Sequence, residues 1–302
     1  MSSSTLRTEI HTFFRSIYGL ILLARPVDGV IIGSTGVLGM VLGLRVYPSF
    51  TQIIMGIIGG ILLLGAMDTF NDYKDIETDK ISKPWRPLPQ ETVEPRFALF
   101  AAIIETILAI LIGLYFFKLQ ALFIGFIGIV LAIAYSTWLK FYNNSYLMKN
   151  FVVALSLSLA LITGALAVNS SPSIDLIFII TQVLVFISAL VFEIHKDLGD
   201  IQGDLVQGVK TIPSQLGTDT TVRVLIVGYF IAWIVASSFL IFLGNDPIYL
   251  GIILLTAALL ILVLYLLAKN PEDNIEQTRR ITTLVMGMIL LGLARLLLLG
   301  RI

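Results

Sequence analysis

Nine apolar stretches divide the chain, at about 17–43, 50–70, 97–117, 121–139, 147–168, 174–195, 222–243, 247–268 and 279–299. Each is near the ~20 residues a helix needs to cross a bilayer. Hydrocarbon offers no water to backbone N–H and C=O groups, so an apolar run of this length satisfies them internally, as a helix. The expected fold is therefore all-α: an integral membrane protein of about nine transmembrane helices, in one domain over residues 1–302. Composition agrees, at 57% hydrophobic and 13% charged, with a mean hydropathy of +0.94. The N-terminal MSSSTLRTEIHTFFRS lacks a short apolar core followed by a small-residue cleavage site, so no removable signal peptide is expected.

Charge in the connections sets an expected orientation. With loops assigned alternately, sixteen of the twenty Lys and Arg fall on one side, while Arg45, Lys118 and Arg301 fall on the other and Arg295 lies in the last span. The positive-inside rule then makes the N-terminus and the two longest loops, about 71–96 and 196–221, cytoplasmic, and the C-terminus external.

Those two loops hold the acidic residues that carry chemistry. Asp68, Asn71, Asp72, Asp75 and Asp79 are spaced by threes and fours, which places them within roughly 100° of one helix face. Asp197, Asp200 and Asp204 repeat the spacing of Asp72, Asp75 and Asp79 at an offset of 125 residues, a possible internal repeat, and Glu193 falls on the same face one turn earlier. A solvated acidic helix end would also display carboxylates, but it would not require a second copy. Each stripe leads into a basic, proline-containing loop: Lys80, Lys83 and Arg86 before Pro87 and Pro89 in the first, Lys210 before Pro213 in the second, with Lys196 opening the second motif. So many carboxylates beside a bilayer call for a divalent cation. Hard oxygen donors favour Mg²⁺, which shares itself with substrate phosphates. Two or more Mg²⁺ ions clamping a diphosphate, with Lys and Arg on the remaining oxygens, is the simplest ligand that meets this demand.

Other chemistries are excluded or disfavoured. The chain has no cysteine, which removes disulfides, thiolate metal sites and cysteine nucleophiles. His11 and His195 are too few for a zinc or haem site without several carboxylates, and a net charge of zero argues against a nucleic-acid partner. A secondary transporter would carry its polar residues in broken mid-span helices, whereas these acids sit at span ends. A binder of isoprenoids or quinones would not need two metal-binding clusters.

Smaller features accompany the stripes. Arg25-Pro26-Val27-Asp28 opens the first span, with Pro suited to a helix start and Arg equally readable as a snorkelling anchor. Tyr135, Lys140, Lys149 and Asn150 flank the fourth-to-fifth connection on the side of the Asp motifs. Gly33, Gly36, Gly39 and Gly43 read as close helix packing. Glu105 is an intramembrane acid and so a site candidate. The last three spans, polar only at Arg295, read as scaffold or as the wall of an apolar groove.

NDYKDIETD followed by KxxxPxRPLP, with KDxxDxxGDxxxGxKTIP, resembles the UbiA superfamily of intramembrane prenyltransferases from the Arg-Pro at 25 to the ninth span. The resemblance implies an all-helical fold around a central cavity open to the bilayer, two Asp-rich motifs binding Mg²⁺-diphosphate, and an apolar tunnel for the isoprenoid tail. By position it makes Asn71, Asp75 and Asp79, and then Asp200 and Asp204, the metal-binding sets, with Asp68 beside the first. Arg25, Lys80, Arg86, Lys140 and Lys210 fall where the family keeps cations, and Lys196 is placed with them.

Tyr135 falls where the family has an aromatic near the reacting carbon, a suitable face for a developing allylic cation. Asp72 or Asp197 would take a proton from a hydroxyl acceptor. The motif forms are most similar to superfamily members that alkylate a glycerol hydroxyl in ether-lipid assembly, which implies geranylgeranyl diphosphate as donor. An aromatic acceptor of quinone, tocopherol or chlorophyll type is the alternative.

Overall fold

A computed structural model describes residues 3–139, 146–244 and 246–299. Among these residues the order is α1 (Ser3–Ala24), α2 (Pro26–Leu44), α3 (Phe50–Lys74), α4 (Ile76–Ser82), α5 (Pro95–Phe116), α6 (Leu119–Thr137), α7 (Met148–Val168), α8 (Leu176–Leu198), α9 (Ile201–Gln207), α10 (Ile212–Leu243), α11 (Pro247–Lys269) and α12 (Pro271–Leu298). Nine of the described helices are long and apolar enough to span a bilayer. The protein is thus an all-helical, multi-pass membrane protein.

The spans lie close to the apolar runs, except that α12 begins eight residues before the run at 279 and that two others depart further. The run 17–43 is not one helix: Arg25 takes a left-handed conformation (φ 44°, ψ 60°) and separates α1 from α2. Pro26 is the local cause, since its ring disfavours the α region for the residue before it and starts a new helix well. At the other departure, α10 begins ten residues before the run at 222. Thr211 and Ser214 form a reciprocal cap there, and Gly217 (φ 81°) breaks the first turn from the long span.

The bundle is solid on one side and hollow on the other. Side chains of α8, α10, α11 and α12 fill a continuous core with α2 and α7, in which Phe239 and Tyr249 are fully buried. Arg295 of α12 pairs with Asp246 at 2.6 Å, so this polar residue of the last spans serves the scaffold. By contrast α3, α5 and α6 bury little of their own surface and border cavities. α2 holds the halves together through backbone approach. A Cβ on Gly60 would lie 2.4 Å from Gly33 Cα, and one on Gly164 would lie 1.8 Å from Gly36 O. The expected glycine packing in α2 is thereby found, against both α3 and α7.

Candidate active site

Both motifs bend at an aspartate. α3 ends at Lys74 and α4 starts at Ile76, with Asp75 between them at φ −102°, ψ 12°. α8 ends at Leu198 and α9 starts at Ile201, with Asp200 at φ −108°, ψ 0°. The short helices α4 and α9 then meet face to face: a Cβ on Gly203 would lie 2.7 Å from Thr78 Cγ2, so glycine allows the approach.

The single acidic face read from the spacing is divided. Asp68 and Asp72 turn to Arg25, whose guanidinium donates to them at 2.8 and 2.6 Å. Asn71, Asp75 and Asp79 instead line a polar chamber of about 60 Å³ together with Glu193, Asp197, Asp200 and Asp204. The cause is tertiary: α1 and α2 place a buried cation beside one part of the stripe. Opposing burial, Asp68 and Asp72 raise the pKa of Arg25 and keep it charged.

The chamber's carboxylates meet cations in pairs. Arg86 donates to Asp72 at 2.8 Å and to Asp79 at 2.7 Å. Lys83 pairs with Asp200. Lys149 lies 2.7 Å from Asp197 and 3.8 Å from Asp204. Lys196 pairs with Glu193 at 2.9 Å. Neutral donors complete the set: Asn150 donates to Asp197 at 2.8 Å, Thr211 to Asp204 at 3.0 Å, Asn71 to Asp75 at 3.1 Å and Ser136 to Asn71 at 3.0 Å. Burial would raise Asp200, but Lys83 holds it below the usual carboxylate value. Burial raises Asp79 despite Arg86. Burial also pushes Asp204 up to about 7, against Lys149 and with the help of Asp197 and Asp200.

Tyr135 and Lys196 line this chamber and also the apolar cavity beneath it. Arg25 and Arg86 border the chamber; Asp68 borders the cavity below instead. Of the two acids expected to take a proton, Asp197 lines the chamber, while Asp72 lies behind it under two guanidinium groups. Lys80 departs from its expected place: it is half exposed, paired with Glu77 at 2.7 Å, and not part of the chamber wall. Lys210 is exposed and also off that wall, between Val209 and Thr211, which are both buried. Lys140 lies outside the described residues. Glu105 faces the α1–α3 contact near Gly65, away from the chamber.

Lys83 and Lys149 are the site residues whose place the sequence left open. A lysine at the very start of a span is the signal for Lys149, since burial of an ammonium there calls for a partner. The hydroxyls of Thr78 and Thr211 carry no such signal. His195, fully buried, lies 2.7 Å from the Tyr229 hydroxyl and 3.0 Å from Thr278 Oγ1, and so locks α8 to α10 and α12 at the level of Lys196 and Asp197.

The donor set suits a hard cation. Chamber acids offer only oxygen, and Thr78 Oγ1 on the chamber wall is buried without a hydrogen-bond partner among the described residues. Among those residues no three acidic or histidine groups converge into a ready-made metal cage. Mg²⁺ is usually held by one or two carboxylates, with waters and substrate phosphates filling the rest.

Paired acidic bends thus roof an apolar interior within the membrane-spanning bundle, a site shaped for a ligand with a charged head and an apolar tail. Residues 32–296 match the UbiA prenyltransferase family, and the chain belongs to it. It is 30% identical over 252 residues to the digeranylgeranylglyceryl phosphate synthase of Thermococcus sibiricus, covering 83% of this chain and 87% of that one. Its fold is similar to the apo structure of a UbiA homologue from Aeropyrum pernix K1 (TM-score 0.72, 18% identity, 88% of this chain and 96% of that one). It is also similar to the Archaeoglobus fulgidus UbiA homologue bound to GPP and Mg²⁺ (TM-score 0.63, 16% identity, 91% and 99%).

Proposed function

We propose that the protein transfers a geranylgeranyl group from its diphosphate to the free hydroxyl of a glyceryl phosphate that already carries one such chain, releasing diphosphate. The observation that carries this reading is the convergence of both acidic bends on one polar chamber that opens directly onto apolar cavities. Similarity to the digeranylgeranylglyceryl phosphate synthase of Thermococcus sibiricus supports the acceptor. The Archaeoglobus fulgidus homologue, which binds GPP and Mg²⁺, supports a prenyl diphosphate donor with that metal.

Asn71, Asp75 and Asp79 from one motif, and Asp200 and Asp204 from the other, would hold the ions. When bound, Mg²⁺ supplies neutralisation of the diphosphate oxygens, which weakens the C1–O bond. The chain's own part is to exchange partners. Lys83 and Arg86, now paired with Asp200 and Asp79, would reach phosphate oxygens once those two carboxylates hold metal, and Lys149 and Lys196 stand on the same chamber wall. Asp68 and Asp72 keep Arg25 and Arg86 oriented. Tyr135 presents its ring where the head chamber meets the tail cavity, beside the electron-poor C1. The acceptor oxygen attacks C1, and its proton passes to Asp197. The motif side faces the cytoplasm and the C-terminus lies outside, in accord with the loop charges.

The test is incubation with geranylgeranyl diphosphate and monogeranylgeranylglyceryl phosphate, with Mg²⁺ or with EDTA. The expected result is a product heavier by one geranylgeranyl group, formed only with Mg²⁺. Diphosphate release with an aromatic acceptor and none with the glyceryl phosphate would overturn the acceptor assignment.

A further inference from the structure

Thr35, Thr106, Thr181 and Thr283, all inside spans, each donate their hydroxyl hydrogen to the carbonyl four residues earlier, at 2.7–3.1 Å. Thr78 does not. Four residues before it stands Lys74, the last residue of α3, beyond the bend at Asp75. Its Oγ1 is closed to solvent and has no hydrogen-bond partner among the described residues. The methyl lies against α9, since a Cβ on Gly203 would be 2.7 Å from Thr78 Cγ2. Thr78 nevertheless belongs to the chamber wall: Asp75, Thr78, Asp79, Ser82 and Lys83 recur at the spacing of one helix face and all border the chamber. Ser82 offers no hydrogen there, because its own goes to Thr78 O at 3.2 Å. A buried hydroxyl left unpaired is destabilising, and nothing in the empty site offsets it.

We propose that the Thr78 hydroxyl is a diphosphate-binding group, which donates its hydrogen to a phosphate oxygen of the prenyl donor. The inference deepens the proposed reaction and rests on it. At about 60 Å³ the chamber has room for roughly two waters at ~30 Å³ each, so a diphosphate enters only as the ion pairs part. Two of those pairs stand beside Thr78 on α4: Asp79 with Arg86, and Lys83 with Asp200. Their parting uncovers the hydroxyl, with the Asp75 and Asp79 carboxylates on one side to hold metal and the Lys83 ammonium on the other to meet phosphate. A hydrogen bond to an anionic oxygen is stronger than one between neutral groups. A neutral donor also suits this place because it adds a phosphate contact without the charge repulsion that one more cation would bring to Mg²⁺.

The test compares Thr78→Val, which keeps the shape and removes the hydroxyl, with Thr78→Ser, which keeps the hydroxyl. Calorimetric titration with inorganic diphosphate and Mg²⁺ in detergent reads affinity without turnover. Thr78→Val should bind about tenfold more weakly or worse, the weight of one hydrogen bond to a charged group, while Thr78→Ser stays close to the wild type. Without ligand, Thr78→Val should melt above the wild type, because the unpaired hydroxyl is gone. A gain in stability joined to a loss of affinity is a pair of signs that general damage to the roof would not give. Unchanged diphosphate affinity in Thr78→Val, a melting temperature below the wild type, or an equal loss of affinity in Thr78→Ser would overturn the assignment. Loss of affinity for inorganic phosphate without loss for diphosphate would overturn it too, and would give the hydroxyl to the acceptor's phosphate. A wild type that binds no diphosphate with Mg²⁺ would overturn the proposed reaction along with it.

Discussion

Lys149 lies 2.7 Å from Asp197, a contact between the first turn of α7 and the last turn of α8, with both side chains nearly closed to solvent. Asn150, the next residue, donates to the other Asp197 oxygen at 2.8 Å. Two adjacent residues of α7 thus hold one carboxylate of the second motif, and the ammonium reaches Asp204 as well, at 3.8 Å. The pair ties the last turn of α8 to α7, three residues before Asp200 at the bend.

Replacing Lys149 by Met should leave Asp197 buried without its cation, at a cost of roughly 3–5 kcal/mol in stability. The Lys149→Met/Asp197→Asn double variant should regain most of that loss and remain inactive. Thermal unfolding in detergent checks both. A single variant that melts with the wild type would remove the pair from any structural role.

Asp204 is pushed up to about 7 by burial, so the metal-free site holds a proton there below that pH. A cation needs the ionised carboxylate. Mg²⁺ affinity should therefore fall as pH drops below about 7, by about tenfold per pH unit for one displaced proton, and level off above it. Asp200, kept low by Lys83, stays ionised through this range and adds no slope. Asp204→Asn should bind more weakly with a flat profile. Calorimetry from pH 6 to pH 8 decides it, and equal wild-type affinity at both ends would exclude the linkage.

The spans and the two motifs were legible because each depends on neighbours in sequence: a run of apolar residues, or acids three and four apart. Arg25 shows where that reading stops. The apolar run crosses it without interruption, yet Pro26 breaks the helix and the freed arginine draws Asp68 and Asp72 away from their stripe. Lys149 and Asp197 are 48 positions apart, so their pairing is a fact of helix packing. Lys80 was misplaced for the same reason. Its spacing beside Asp79 suits a phosphate contact, but α4 turns it outward to Glu77. An apolar tunnel was implied by the resemblance, but the cavities bordered by α3, α5 and α6 could not be placed, since they depend on how far α5 stands from α6.

Gly164→Ala should destabilise the bundle by at least the 1–3 kcal/mol typical of overpacking, because its Cβ would sit 1.8 Å from Gly36 O, a backbone atom that cannot rotate away. Gly125→Ala should be near neutral, since its Cβ meets nothing within 4 Å. Melting temperatures of the two variants separate close approach from open cavity. Equal effects would refute the distinction.

Orientation is open to the same cysteine-free background. Single cysteines at Gln90 and Gln207, on the motif side, should react with impermeant reagents from the cytoplasmic face only, and one at Ser171 from the external face only. External labelling of Gln90 would invert the protein and separate its chamber from a cytosolic supply of prenyl diphosphate.

An apolar cavity along α3 makes donor length the last measurable quantity. In the proposed reaction a diphosphate held in the roof would have its C1 near Tyr135, and its tail would follow the cavity of about 350 Å³ along α3 past Gly60 and Gly56 toward Met55. Each buried CH₂-sized group adds ~0.8 kcal/mol on leaving water, and ordering costs about 0.5–1.5 kcal/mol per isoprene unit, so each unit should add a few kcal/mol at most. Binding of C5, C10, C15 and C20 diphosphates at fixed Mg²⁺, expressed against the donor free in water, should strengthen with length and then level where the cavity ends. Gly125→Leu narrows the channel from α6 without touching the roof, so it should move the plateau to shorter donors and leave C5 binding unchanged. Equal affinity for C5 and C20 in the wild type would mean that the tail lies elsewhere; a plateau unmoved by Gly125→Leu would place it in another cavity.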